Sequence, residues 1–310
     1  MSNPVIISVG GGKGGVGKST VTANLGAALA RRGHSVVCMD ADLGGANLHT
    51  CLGIRRPEVG LQDFVSGKCR ALSDVAVTTV VPDIRLISGA GDFLELANPN
   101  FAQKQKIIGS IRKLNAEFIL VDLGAGSGST VTDFFAAFPF SIMVTDSLPT
   151  SLENAYGFLK NGTFRGLIRL FPGRTDIHKT LKSCADPKNK SGSSIDNLLS
   201  TLVETYPREA ERMREWLAQR RSFLIVNMVR GPGEIRVGER FTQIVHKYLS
   251  LPQRYIGYLA YTPEIRDSLR ALKPVVLDGN RRVRESFDAI GRNLIALTKP
   301  GNQENKTRDS

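Results

Sequence analysis

Short apolar runs that end in glycine, aspartate or asparagine alternate with stretches of helical periodicity along most of the chain. Val5-Ile6-Ile7-Ser8-Val9, Val37-Cys38-Met39, Phe118-Ile119-Leu120-Val121 and Phe223-Leu224-Ile225-Val226 read as buried strands, whereas Leu25, Ala28 and Leu29 recur at helical spacing. The pattern predicts strands at 4–10, 35–40, 75–80, 84–88, 117–122, 140–146, 222–228, 254–260 and 275–277. It predicts helices at 18–32, 101–114, 129–137, 150–160, 196–220, 235–249, 263–271 and 282–297. Repeated strand–helix units imply an α/β fold: a doubly wound, mostly parallel sheet with helices on both faces and ligands at the strand C-terminal ends. Residues 161–195 break the rhythm with Gly162, Gly166, Pro172, Gly173, Pro187 and the run Lys188 to Ser194. They read as an excursion, flexible near 186–194. The expected organisation is one domain over 1–298 and a polar tail over 299–310.

Composition narrows the class. With 310 residues and 41% hydrophobic content the chain can bury a sizeable core. No run approaches the roughly 20 apolar residues of a membrane span. The first strand starts at once, so no signal peptide is expected and a cytoplasmic setting is. Cys38, Cys51, Cys69 and Cys184 are scattered, without C-x-x-C, as expected of reduced thiols. Charge is unevenly spread. Residues 1–150 hold 13 Lys and Arg against 12 Asp and Glu, and residues 151–310 hold 28 against 17, within a formal net charge of +12. The basic C-terminal half, with Arg281, Arg282 and Arg284 among its cations, suits a polyanionic surface such as nucleic acid or acidic lipid. Interleaved glutamates also fit plain solvated helix faces. Val283, Phe287, Ile290, Leu294 and Leu297 form the core stripe of the last helix rather than a membrane anchor.

The chemistry concentrates after the first strand. Gly12-Lys13-Gly14-Gly15-Val16-Gly17-Lys18-Ser19 matches G-x-x-x-x-G-K-[ST] between a strand and a helix. Glycines let such a loop curl so that successive N–H groups converge at a helix N-terminus, where anions are favoured. Lys18 is placed to bridge β- and γ-phosphates, Ser19 to ligate Mg²⁺, and Thr20 to meet an α-phosphate. Asp40 and Asp42 lie two residues apart at a strand end and project to one side. Asp122 closes another apolar run, a position suited to hold a water on Mg²⁺. Asn227 ends a third, with an amide able to donate and accept at an adenine edge.

The segment Lys13-Gly14-Gly15-Val16-Gly17-Lys18-Ser19-Thr20 resembles the deviant Walker A loop of the MinD/ParA superfamily. Asp40-Ala41-Asp42-Leu43-Gly44-Gly45-Ala46-Asn47-Leu48 is similar to its first switch, and Val121-Asp122-Leu123-Gly124-Ala125-Gly126 to its Walker B strand and second switch. Ile256 to Glu264 resembles the strand and loop that close over the base, with Pro263 in that loop. The resemblance spans nearly the whole chain. It implies a Mg-ATP hydrolase, weak until a protein activator engages it, that forms an ATP sandwich dimer and positions a division site, a chromosome or plasmid, a flagellum or another cargo. Within it Lys13 crosses to the partner's phosphates, Asp42 positions the attacking water and the Mg²⁺ shell, Asp40 supports the metal site, Gly124 and Gly126 sense the γ-phosphate, and Asn227 selects ATP over GTP. Nonspecific DNA or an anionic membrane is the implied surface, visited transiently. Two alternatives stay open: a metallocluster or metal-insertion ATPase, which needs paired cysteines, and a nucleotide sensor without significant turnover.

Overall fold

The computed structural model describes residues 3–89, 99–185 and 194–299. In chain order the elements are β1 (Val5–Gly10), α1 (Lys18–Ala30), β2 (Val36–Asp40), α2 (Leu48–Cys51), α3 (Leu61–Val65), β3 (Ala76–Thr78), β4 (Ile84–Ile87), α4 (Phe101–Ile111), β5 (Phe118–Asp122) and α5 (Ser129–Ala137). They continue with β6 (Phe140–Thr145), α6 (Pro149–Arg169), α7 (Thr175–Ala185), α8 (Ile195–Thr205), α9 (Pro207–Ala218), β7 (Arg221–Val229), α10 (Pro232–Ile235), α11 (Val237–Leu249), β8 (Gln253–Ala260), α12 (Pro263–Arg270), α13 (Val275–Asp278) and α14 (Arg281–Thr298).

The strands form one sheet in the order β3-β4-β2-β5-β1-β6-β7-β8. Every neighbouring pair is parallel except β3 with β4. All five residues of β2 and of β5 are buried, as their unbroken apolar runs require for strands covered on both faces. One apolar layer packs α1, α13 and α14 on one face through Leu25, Leu29, Val276, Phe287 and Leu294. The other layer packs α4 to α9 and α11 through Ile107, Phe134, Phe158, Leu198, Met213 and Val245. The chain moves outward from β1 to β2, returns to β5, and then crosses β1 to reach β6. The loop after β1 therefore leaves the sheet where the winding reverses, the place where open α/β sheets bind ligands.

Several expected elements are corrected. The apolar trio 275–277 is helical, not a strand: Pro274 precedes it, and the Asn24 side-chain oxygen accepts the Val276 N–H at 3.1 Å. The expected helix 196–220 is two helices, because Pro207 has no N–H and drives Tyr206 out of the helical region to φ −134°, ψ 62°. The helix expected at 150–160 continues to Arg169, so 161–169 is no excursion. Gly162 and Gly166 act there as contact points: a Cβ at either would strike Phe135 or Trp216. Thr175–Ala185 is a further helix. The stretch 186–193 and residues 300–310 of the expected polar tail lie outside the described residues.

Candidate nucleotide site

Gly17 precedes α1 at φ 86°, a left-handed conformation that a glycine adopts without steric cost. Its position also leaves no room for a side chain, because a Cβ would meet the Asn227 carboxamide. At Gly12 a Cβ would meet the Asn154 carbonyl of α6. The loop is thus wedged between β7 and α6. Asn227 fastens it, donating a side-chain N–H to the Val16 carbonyl at 2.8 Å. Gly14 and Gly15 are exposed, and Gly15 has φ 83° with open space around it. Lys13 is exposed in the same loop, while Lys18, in the first turn of α1, is only 8% exposed. Ser19 and Thr20 are half-buried beside it.

Two carboxylates lie side by side at the strand ends. Asp40 on β2 is in register with Asp122 on β5, and both are buried. Burial above all, and then the Asp40 charge, hold the Asp122 carboxyl well above the usual carboxylate range; hydrogen bonding to Ser19, the Lys18 charge and Thr22 act the other way. The Thr22 hydroxyl lies 3.3 Å from Asp122 Oδ1 and 2.9 Å from the Lys18 carbonyl. Asp40 is also raised, chiefly by burial, although it accepts the Asp42 and Leu48 N–H groups at 3.0 Å each. Those two bonds bend the chain after β2 over the sheet end. Asp42 is half-buried and reaches the second loop: a Cβ on Gly124 would stand 3.1 Å from its carboxylate. Gly126 turns that loop at φ 78° before α5.

The residues singled out in the sequence therefore converge, with one exception. Gly12 to Thr20, Asp40, Asp42, Asp122, Gly124 and Asn227 are joined by these contacts. Pro263 instead sits exposed in the first turn of α12, behind the capping Thr262. Beside it a cavity of about 150 Å³, lined by Leu259, Tyr261, Thr262, Ile265, Arg282 and Phe287, involves none of the phosphate-loop residues. Sequence reasoning missed Thr22 and Asn24. Asn24 ties α1 to α13 through Val276 and donates to the Thr20 carbonyl at 2.8 Å. Both are polar residues within the apolar run of α1, where a buried hydroxyl or amide must have a partner.

The donor set fits a hard, six-coordinate cation better than a soft one. Among the described residues no group of three or more His, Cys, Asp or Glu side chains could hold a metal. What is present is the Ser19 and Thr22 hydroxyls beside Asp122. This suits Mg²⁺, which keeps several waters and takes few protein oxygens along with phosphates. The glycine cradle at the α1 N-terminus and the Lys18 ammonium fit a polyphosphate. The thiols do not suit a soft metal: burial pushes Cys51 up to about 12, and Cys38 is raised by the same cause. No described helix is long and apolar enough to cross a membrane.

Comparison with known proteins agrees with this geometry. The family described as the CobQ/CobB/MinD/ParA nucleotide binding domain matches residues 7–275. The antiactivator FleN of Pseudomonas aeruginosa is 35% identical over 157 residues, covering 50% of this chain and 55% of FleN. The flagellum site-determining protein YlxH of Helicobacter pylori is 30% identical over 167 residues, covering 51% of this chain and 53% of YlxH. The chain thus spans about half the length of the curated relatives it matches. In fold it resembles the cell division ATPase MinD of Pyrococcus furiosus, with TM-score 0.64 and 21% identity over 94% of this chain and 98% of that one. It also resembles MinD of Pyrococcus horikoshii complexed with Mg-ADP, with TM-score 0.62 and 21% identity over 96% and 99%. From the glycine loop wedged at the switch point to the paired aspartates beside it, this chain belongs to the CobQ/CobB/MinD/ParA family of nucleotide-binding domains.

Proposed function

We propose that the chain is a Mg-ATP-binding ATPase of the MinD/ParA type, acting as an ATP-dependent sandwich dimer that positions a cellular structure. One observation carries the reading. Asp122 lies buried at the strand end with Ser19, Thr22 and Lys18 around it and the phosphate loop above. Ser19, Asp122 and Asp42 are the residues that would hold Mg²⁺, Asp122 by way of a water. Bound Mg²⁺ neutralises the charge that develops on the phosphates. Lys18 grips the β- and γ-phosphates, and the N–H groups of Gly12 to Thr20 surround them. Asp42, already against Gly124, orients the attacking water. Lys13 is exposed, as a lysine reaching the partner's phosphates must be. In this reading Asn227, beside the loop, reads adenine through its amide, and Pro263 borders the base.

Residues 1–298 act as one unit in this reading. A protein activator stimulates a weak intrinsic turnover. The basic C-terminal half meets nonspecific DNA or an anionic membrane, so a cytoplasmic protein associates transiently with nucleoid or membrane. Likeness to the flagellum site-determining protein YlxH makes flagellar placement the foremost of the positioning roles. The reading is tested by sedimentation and phosphate release with Mg-ATP: an ATP-dependent dimer with slow turnover is expected, and a monomer that releases no phosphate overturns it.

A further inference from the structure

Asp133 stands in the middle of α5, out of reach of solvent. Three cations converge on it. Lys104 Nζ lies 2.6 Å from Oδ2, and Arg165 Nε at 2.6 Å and Arg169 Nη2 at 3.1 Å approach Oδ1. One carboxylate neutralises one of them, so two positive charges are in excess among the described residues. The excess is only partly solvated: the Lys104 side chain is 8% exposed, that of Arg169 24% and that of Arg165 38%. Arg169 Nη2 is shielded from solvent yet makes no hydrogen bond of good geometry among the described residues. Burial and the Arg165 charge hold its guanidinium below the usual arginine range. Phe101, one helical turn before Lys104, is 66% exposed, with its ring 5.9 Å from the Arg169 guanidinium. Partly buried cations that outnumber their counter-charge among the described residues, next to an uncovered ring, are unfavourable unless something completes them.

We propose that the face made by Phe101, Lys104, Arg165 and Arg169 docks an acidic segment of a protein partner. Its carboxylates take the guanidinium edges not used by Asp133, and an apolar side chain covers Phe101. Arginine forks favour such paired contacts with carboxylates. A duplex or bilayer is better served by cations spread along a surface, whereas these point at a single residue from two helices. α5 begins three residues after Gly126, so a partner seated here bears on the helix that leaves the second switch loop. The inference does not depend on nucleotide binding, and its test is run without nucleotide.

The probe is a fluorescein-labelled peptide of Glu and Asp with one central Phe, titrated with the full chain and followed by anisotropy. Saturable binding is expected. Arg165→Gln with Arg169→Gln should weaken it by about tenfold or more, and Phe101→Ala, which removes the ring beside Arg169, by about threefold or more. Arg70→Gln with Lys113→Gln, two exposed cations elsewhere on the chain, should leave it unchanged. Absence of saturable binding, or an equal loss in that control variant, overturns the proposal. So does tighter binding of duplex DNA or phosphatidylserine vesicles that depends on the same arginines. Asp92→Asn with Glu95→Gln should not alter peptide affinity; a gain of about tenfold would assign the cluster to the chain's own acidic residues instead.

Discussion

Asn227 on β7 donates its side-chain N–H to the Val16 carbonyl, 211 positions earlier, at 2.8 Å. The residue expected to read the base is thereby also the clamp that holds the phosphate loop against β7. The two roles separate in binding experiments. ATP should bind more tightly than GTP, and Asn227→Ala should weaken both, by roughly two- to tenfold for one hydrogen bond worth about 0.5–1.5 kcal/mol. Competition with a fluorescent nucleotide measures this. Unchanged GTP affinity in the variant would remove the clamp, and equal wild-type affinities would remove the selector.

The loop glycines should differ in kind. Gly12→Ala drives a methyl into the α6 backbone at Asn154, which must shift. Overpacking of this sort costs about 1–3 kcal/mol and displaces the loop. Gly15→Ala meets no neighbour and bears only the left-handed strain, about 1–2 kcal/mol. Urea unfolding and nucleotide titration of both variants should show nucleotide affinity lost at Gly12 and largely kept at Gly15. The reverse order would mean that the wedge between β7 and α6 is not what shapes the loop.

Three substitutions separate grip, dimerisation and hydrolysis. Lys18→Ala should impair nucleotide binding itself. Lys13→Ala should leave the monomer able to bind yet unable to form the ATP dimer. Asp42→Ala should keep ATP and accumulate dimer, with turnover reduced by several powers of ten, on the order of 4 kcal/mol. Size-exclusion with Mg-ATP reads all three. A Lys13→Ala protein that dimerises normally, or a monomeric Asp42→Ala protein, contradicts the sandwich.

Asp40 and Asp122 should make the metal-free, nucleotide-free protein sensitive to pH. Both folded-state pKa values are raised, mainly by burial. The folded chain therefore binds more protons than the unfolded one above the ordinary carboxylate pKa of about 4. Their contribution to stability is full below that value and is lost as pH rises through the raised pKa values. In EDTA, the melting temperature should fall from acid toward neutral and mildly alkaline pH, against the usual trend of surface carboxylates. Asp122→Asn should flatten the dependence. The same slope in wild type and variant would show that the pair does not titrate as described.

Salt tests the basic half. ATP-dependent binding to DNA or anionic vesicles should fall steeply with ionic strength, and charge reversal at Arg281, Arg282 and Arg284 should weaken it. Absence of binding to either at low salt would leave these arginines as solvated helix surface.

The strand-and-loop framework was readable because the strands of a parallel sheet are buried on both faces and appear as unbroken apolar runs, as Phe118 to Val121 do. Where the sequence misled, one residue type served two physical purposes. Gly162 and Gly166 look like helix breakers, yet they are the places where Phe135 and Trp216 press against α6. Val275-Val276-Leu277 is too short for apolar content to separate strand from helix, and the side chain of Asn24 on α1 decides it. Pro207 was visible and its effect on Tyr206 could have been inferred. At the site, the loop was legible from its spacing, and the aspartates beside it from the resemblance. The Asn227 clamp was not, because no local pattern reports a contact made 211 residues away.

Trp216 is the only tryptophan in the chain. It lies against Gly166 of α6, and its ring is 3.9 Å from the Arg220 guanidinium, which in turn donates to the Ala136 and Phe138 carbonyls at the end of α5. That helix starts just after the loop of Gly124 and Gly126, so a single native fluorophore shares a cation with the far end of the element leaving that loop. Were α5 to shift, the electric field and quenching at that one indole would change with it. The unmodified protein thus offers an optical gauge, and stopped-flow emission should report the tempo of any such movement without an attached dye.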